Sequence, residues 1–155
     1  VAADILMAFD PDTLERDIQY KNGDLVREYG LGTAVLISLF TDRRADPDDD
    51  IDDPNDRRGW WGDLVPDRGD KIGSKLWQFD RSKTDQVTLL GIKKAIEDCL
   101  EWMINDGIAR KIEVELIKFG DVSNYRLLAT IRIHRKYGGV ESINFDDLWE
   151  AQLGE

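Results

Sequence analysis

One cysteine, one histidine, two methionines and four prolines in 155 residues set the first limits. With Cys99 alone no internal disulfide can form, and a reduced compartment is the natural setting. Cys99 falls in a helix-like pattern with no partner histidine in evidence, which argues against a nucleophile. His134 is the one histidine, on a strand face turned away from the apolar side. Triads, zinc ligand sets and histidine acid–base pairs need more than that, so a satisfied or solvent-facing ring is expected. No apolar run approaches the ~18 residues that span a bilayer, and no signal peptide opens the chain. The chain begins at Val1 rather than Met, as expected where a residue or short leader has been removed. Gly30, Gly32, Gly59 and Gly62 are spaced wrongly for a phosphate-binding loop. Cations are also scarce: 21 bases face 32 acids, for a net charge of −11. Nucleic acid, which needs clustered cations, is therefore not the expected partner.

What remains is 41% apolar and 34% charged, the balance of one soluble domain over 1–155. Residues 5–9, 14–20 and 25–28 read as strands, with Asn22-Gly23 as a hairpin turn. Thr33 is the predicted N-cap of a short buried helix through 34–42, in which Val35, Leu36, Leu39 and Phe40 share helical spacing. Arg43 and Arg44 follow it, complementing the helix dipole. Residues 46–56 hold seven aspartates, two prolines and a single apolar residue, Ile51. An exposed, mobile acidic loop over 45–56 is expected. Asp48, Asp50 and Asp52 alternate like calcium ligands, but the EF-hand glycine and its distal glutamate are replaced by Asp53 and Gly59. A turn at 66–70 and an irregular or helical turn at 72–77 come next.

Ser82 and Thr84 are candidate caps for the longest helix, 85–105, where Leu89, Ile92, Ile96, Leu100 and Met103 form one stripe. Gly91 inside it marks a close crossing, and Asp106-Gly107 stops it. Residues 111–118 and 125–135 alternate as a long hairpin, with Val114, Leu127, Ala129, Ile131 and Ile133 among the inward positions. Gly138-Gly139 breaks the pattern. Residues 143–155 read as an amphipathic helix or docking segment. The fold class is α+β: a small antiparallel sheet packed on one long and one short helix.

The densest chemistry is Arg57-Arg58-Gly59-Trp60-Trp61-Gly62-Asp63. Paired tryptophans between glycines demand a shaped loop, and Trp with Arg is the composition of interface cores. One ring packed inward and its neighbour outward satisfies both a folding and a docking role. Arg57 and Arg58 are placed to stack on the Trp rings, and with Arg43 and Arg44 they form a basic spot for an acidic protein surface. No catalytic residue is assigned. A glycosidase pair needs an acid on an apolar wall, and only Asp63, beside Trp61, is a candidate.

The segments 34–44, 57–63 and Gly73-Ser74-Lys75-Leu76-Trp77 together resemble the Mu-like phage baseplate protein family, within the wedge or sheath-initiator proteins of contractile tails. The resemblance runs over residues 4–135. It implies a domain similar to the inner domain of tail-sheath proteins. It further implies a non-enzymatic virion component of the tail baseplate, assembled in the host cytoplasm without metal or cofactor. Its partners would be other wedge proteins and the sheath, whose strands would add to the 111–135 hairpin. Partner-facing candidates are Arg43, Arg44, Arg57, Arg58, Trp60, Trp61, Asp63, Trp77 and Arg110. The last stands near the Glu-Pro-Arg position of the wider family, where this chain has Asp106-Gly107-Ile108-Ala109-Arg110. A lysozyme-like glycosidase, or a calcium module at Asp48, Asp50 and Asp52, is the alternative class.

Overall fold

The computed structural model describes residues 4–5, 7–10, 15–18, 20–22, 24–25, 27–28, 30–64, 71–79, 85–121 and 124–149. Six short strands come first: β1 (Asp4–Ile5), β2 (Met7–Asp10), β3 (Glu15–Ile18), β4 (Tyr20–Lys21), β5 (Asp24–Leu25) and β6 (Arg27–Glu28). They pair antiparallel, β1 with β6, β2 with β3 and β4 with β5. The expected turn lies between β4 and β5. Asn22 has a φ of 56°, the left-handed conformation that asparagine tolerates.

Helix α1 spans Gly32–Phe40, with Val35 and Leu39 buried. Thr33 is not its N-cap. Leu31 holds that position with no side-chain cap, and the Thr33 hydroxyl donates to the Ile5 carbonyl at 3.3 Å. The Leu31 N–H is satisfied instead by Glu141 Oε1 at 2.7 Å, from 110 residues away. The helix stops at Phe40 because Thr41 turns extended, with a ψ of 130°. Arg43 and Arg44 therefore lie outside its last turn.

Helix α2 spans Gln86–Asn105. Asp85 caps it, accepting the Thr88 N–H at 2.7 Å; Ser82 and Thr84 lie outside the described residues, as does the turn at 66–70. The predicted stripe is the core. Ile92, Ile96, Leu100 and Met103 are fully buried, and Cys99 joins them. Each such side chain contributes about 1.5–3 kcal/mol relative to exposure. The helix ends as Gly107, at φ 71°, directs its N–H to Ile104 and the Ile108 N–H to Met103, which satisfies the last carbonyls.

That turn leads directly into a three-stranded antiparallel sheet, ordered β7 (Ala109–Asp121), β8 (Asn124–Arg135) and β9 (Val140–Phe145). Val114 pairs with Ile131 and Ile112 with Ile133, so the alternation places the aliphatic residues under α2. Residues 140–145, adjoining and overlapping the expected C-terminal helix, form the third strand. Their alternation of exposed and half-buried positions is the period of a strand, and Ile143 and Phe145 join the core. Leu148 beyond them is fully buried. Phe40 meets Phe145 edge-on at 5.6 Å, and the Trp102 indole donates to Ser38 Oγ at 3.1 Å, tying α2 to α1. The architecture is α+β, with both helices on one face of the sheet. Among the described residues no helix is long and apolar enough to cross a membrane.

Candidate functional site

The segment after α1 and the segment before α2 are fastened to each other first through backbone. Asp42 and Ser74 form a parallel bridge, in which the Arg43 N–H donates to Ser74 O and the Ser74 N–H to Thr41 O, both at 2.9 Å. Gly73 permits this approach at φ +98°, since a Cβ there would lie 2.3 Å from the Thr41 carbonyl oxygen. Ser74 Oγ donates to Leu39 O at 2.5 Å and accepts the Leu76 N–H, opening a 3₁₀ turn over Leu76–Phe79. Trp77 in that turn is only 8% exposed, and its indole donates to Arg43 O at 2.9 Å.

On this platform rests the acidic loop. Its neck closes where the Ala45 N–H donates to Arg57 O at 2.9 Å and the Arg57 guanidinium to Asp46 O at 2.7 Å. Lys75 Nζ reaches across to Asp46 and Asp49, each at 2.6 Å, and Gln78 donates to Asp49 as well. The lysine hydrogen bond and charge hold Asp46 below the usual carboxylate range. For Asp49 burial pulls upward, but the bonds from Lys75, Gln78 and the Asp46 backbone prevail and lower it. Burial likewise opposes the charge on Lys75, and its two carboxylate partners outweigh that and raise it. The loop is exposed at its tip yet pinned at its base. An open cleft of about 310 Å³ lies between it and α2, lined by Arg43, Lys75, Phe79, Gly91, Lys94 and Asp98 among others.

The Arg57–Asp63 block then shows its spacing. Arg58 and Gly59 are both left-handed, at φ 46° and 112°, and a Cβ on Gly59 would meet Arg44 Cβ at 2.7 Å. Arg44 donates to Arg58 O at 3.3 Å. The expected stacking on the Trp pair does not form. Arg58 instead lies over Trp77, 4.7 Å from the ring centroid, and bridges Asp42. Trp60 is half-buried, its ring covering Gly62 where a Cβ would collide at 2.1 Å. Trp61 stands 5.3 Å from it at 44° and is 75% exposed, beside Leu64 at 77% in a 3₁₀ turn over Trp61–Leu64. One ring is thus a prop and its neighbour a projection.

Arg43, Arg44, Arg57, Arg58, Trp60, Trp61, Asp63 and Trp77 all belong to this one fastened region. Asp63 closes it by accepting the Ile72 N–H at 3.3 Å. Arg110 does not join them; it lies on β7, beside a bulge, with no ion pair among the described residues. Sequence reasoning missed Leu64, Lys75 and Gln78. Lys75 and Gln78 stand 26 to 29 residues from their partners Asp46 and Asp49, which left no local signal. Among the described residues no group of three or more His, Cys, Asp or Glu side chains is gathered to hold a metal ion. His134 Nε2 lies 2.9 Å from Glu113 on the open face of the sheet. Burial pushes the Cys99 thiol up to about 12.

What this arrangement can do is present an apolar projection, Trp61 with Leu64, next to a loop whose base is clamped by Lys75. Comparison with known proteins agrees in kind. Residues 31–140 match the family described as phage protein GP46, and the chain belongs to that family, the Mu-like baseplate proteins. It is 44% identical over 99 residues to the baseplate protein gp46 of Escherichia phage Mu, covering 63% of this chain and 67% of that protein. It is 34% identical over 100 residues to the Mu-like prophage FluMu protein gp46 of Haemophilus influenzae, covering 64% and 67%.

Proposed function

We propose that the protein is a structural component of a contractile-tail baseplate, a wedge protein that acts through contacts alone. The observation that carries this reading is Trp61, an exposed ring beside Leu64 in a short turn that Asp63 ties to Ile72. Exposed aromatic anchors on rigid supports are what interface hot spots require. The family supports the setting, since the relative from phage Mu is named a baseplate protein. The partners are larger wedge subunits, which receive Trp61 and Leu64, and the tail sheath. The domain is similar to the inner domain of sheath proteins, and the first sheath ring adds strands to the outer edge of β7, which pairs only with β8 among the described residues. The segment past β9 is a further docking element. Assembly takes place in the host cytoplasm and the product resides in the virion tail.

Co-expression with the other baseplate proteins of the same tail tests this. A stable complex should form, and Trp61→Ala should dissolve it while leaving the melting temperature unchanged. A complex that survives both Trp61→Ala and Leu64→Ala would sink the docking surface. Peptidoglycan hydrolysis lost on Asp63→Asn would overturn the non-enzymatic reading altogether.

A further inference from the structure

The β7–β8 hairpin is longer than anything that covers it. At about 3.3 Å per residue the 13 residues of β7 reach ~43 Å, against ~30 Å for the 20 residues of α2. The core uses Val114, Ile131, Ala129 and Leu127, and the far end of the hairpin overhangs it. On the open face of that overhang Ile117 is 50% and Phe119 69% exposed. Their cross-strand partners are Leu128 and Arg126. Arg126 is exposed and makes no ion pair among the described residues. On the opposite face Lys118 lies 4.7 Å over the Tyr125 ring. In a chain of net charge −11 this is an apolar finger with a basic fringe.

A surface of opposite character exists on the same chain. Asp46 and Asp49 share Lys75, with Lys71 also 3.9 Å from Asp46, and Asp56 lies near Arg58, but Asp48, Asp50, Asp52 and Asp53 have no cationic partner among the described residues. Asp50, Asp52, Asp53 and Asp56 rim a hollow of about 220 Å³ whose walls are Ile51, Trp77, Gln78 and one cation, Arg58. That is room for a single aromatic ring beside the Arg58 guanidinium, with carboxylates at the rim.

We infer that the hairpin tip of one copy docks on the acidic loop of a second copy, Phe119 entering the hollow and Arg126 meeting the free aspartates. Two different surfaces meet, so the contact is head-to-tail, and each dimer keeps one free tip and one free loop. The charge complementarity is local. The net charge of both copies opposes approach at long range, so the association is weak in isolation and favoured where copies are held close together. It uses neither Trp61 nor the β7 edge, and it stands or falls independently of the baseplate reading.

Sedimentation of the full chain over a range of concentrations tests it. Wild type should show an average mass that rises with concentration past that of a dimer. A tip variant, Phe119→Ser with Arg126→Glu, and a loop variant, Asp50→Lys with Asp52→Lys, should each associate at least ~10-fold more weakly. Mixed in equal amounts, the two should form a dimer of one copy each and nothing larger, because one intact tip and one intact loop remain. All four positions are exposed, so melting curves should match wild type; Arg126→Glu alone is the milder variant if the tip variant does not fold. A strictly monomeric wild type, or a mixture that stays monomeric, would overturn the proposal, as would unaltered association of either variant.

Discussion

The Arg58 guanidinium carbon sits 4.7 Å from the centroid of the Trp77 ring, while its Nη1 contacts the Asp42 carboxylate at 2.9 Å. A planar cation is thus sandwiched between an indole and the chain leaving α1. Arg58→Lys keeps the charge but loses the planar stack and should destabilise by about 0.5–1 kcal/mol. Arg58→Ala should cost somewhat more, and the excess should vanish in an Asp42→Ala background, since a half-exposed pair contributes only ~0.2–1 kcal/mol. Thermal melts of the four chains give the coupling. Equal effects of Arg58→Ala in both backgrounds would show that the pair contributes nothing.

The clamp at Lys75 has a pH signature. Asp46 and Asp49 are lowered from an ordinary 3.8, so their contribution is present above that value and is lost as pH falls through their lower folded values. Lys75 is raised from 10.5, so its contribution is present below that value and is lost as pH rises through the folded one. Between these limits the loop base should be equally protected at every pH. Lys75→Met should abolish the alkaline edge, weaken the acid edge that Gln78 and the Asp46 backbone still support, and speed amide exchange across 45–57. Unchanged exchange there in the variant would show that the neck holds without the clamp.

Gly91 and Phe79 make the contact that a helical glycine predicted. A Cβ at 91 would lie 2.8 Å from two ring carbons of Phe79. Alanine gains about 1 kcal/mol of helix propensity, but overpacking costs ~1–3 kcal/mol. The net expectation for Gly91→Ala is a lower melting temperature, recovered in part by Phe79→Leu in the same chain. A more stable Gly91→Ala would show that the 3₁₀ turn carrying Phe79 yields freely.

Cys99 should be silent. Its thiol is buried and its ionisation is pushed up to about 12, so almost no thiolate exists at neutral pH. A disulfide reagent should label it only in denaturant, at a rate that tracks unfolding. Rapid labelling of the native chain at neutral pH would contradict the packing of α2.

Much of this was legible in the chain because its cause is local. The stripe Ile92, Ile96, Leu100 and Met103, the alternation through Val114 and Ile131, and the Asp106-Gly107 stop are each set within a turn or a few strand residues. The paired reading of Trp60 and Trp61, one inward and one outward, left open which ring does which, and the structure gives Trp61 the exposed place. The misses have distant causes. Leu31 holds the N-cap with no side-chain oxygen to offer, its own N–H taken by Glu141 from the last strand, and so Thr33 was misplaced by a rule that sees only neighbours. Arg58 passes over the adjacent Trp rings for Trp77, which comes near only once Asp42 and Ser74 have met. Residues 143–145 read as the start of an amphipathic helix or docking segment, and they are the end of a strand because β8 is there to pair with.

Ser74 offers one more consequence. Its hydroxyl and backbone join the end of α1, the exit strand toward the acidic loop, and the turn bearing Trp77. None of the three can let go without stranding a buried polar group in the other two. They should therefore melt as a single cooperative unit, sharing one exchange rate, while the acidic tip fluctuates on its own. The acidic loop can then adapt its shape without loosening the core it stands on.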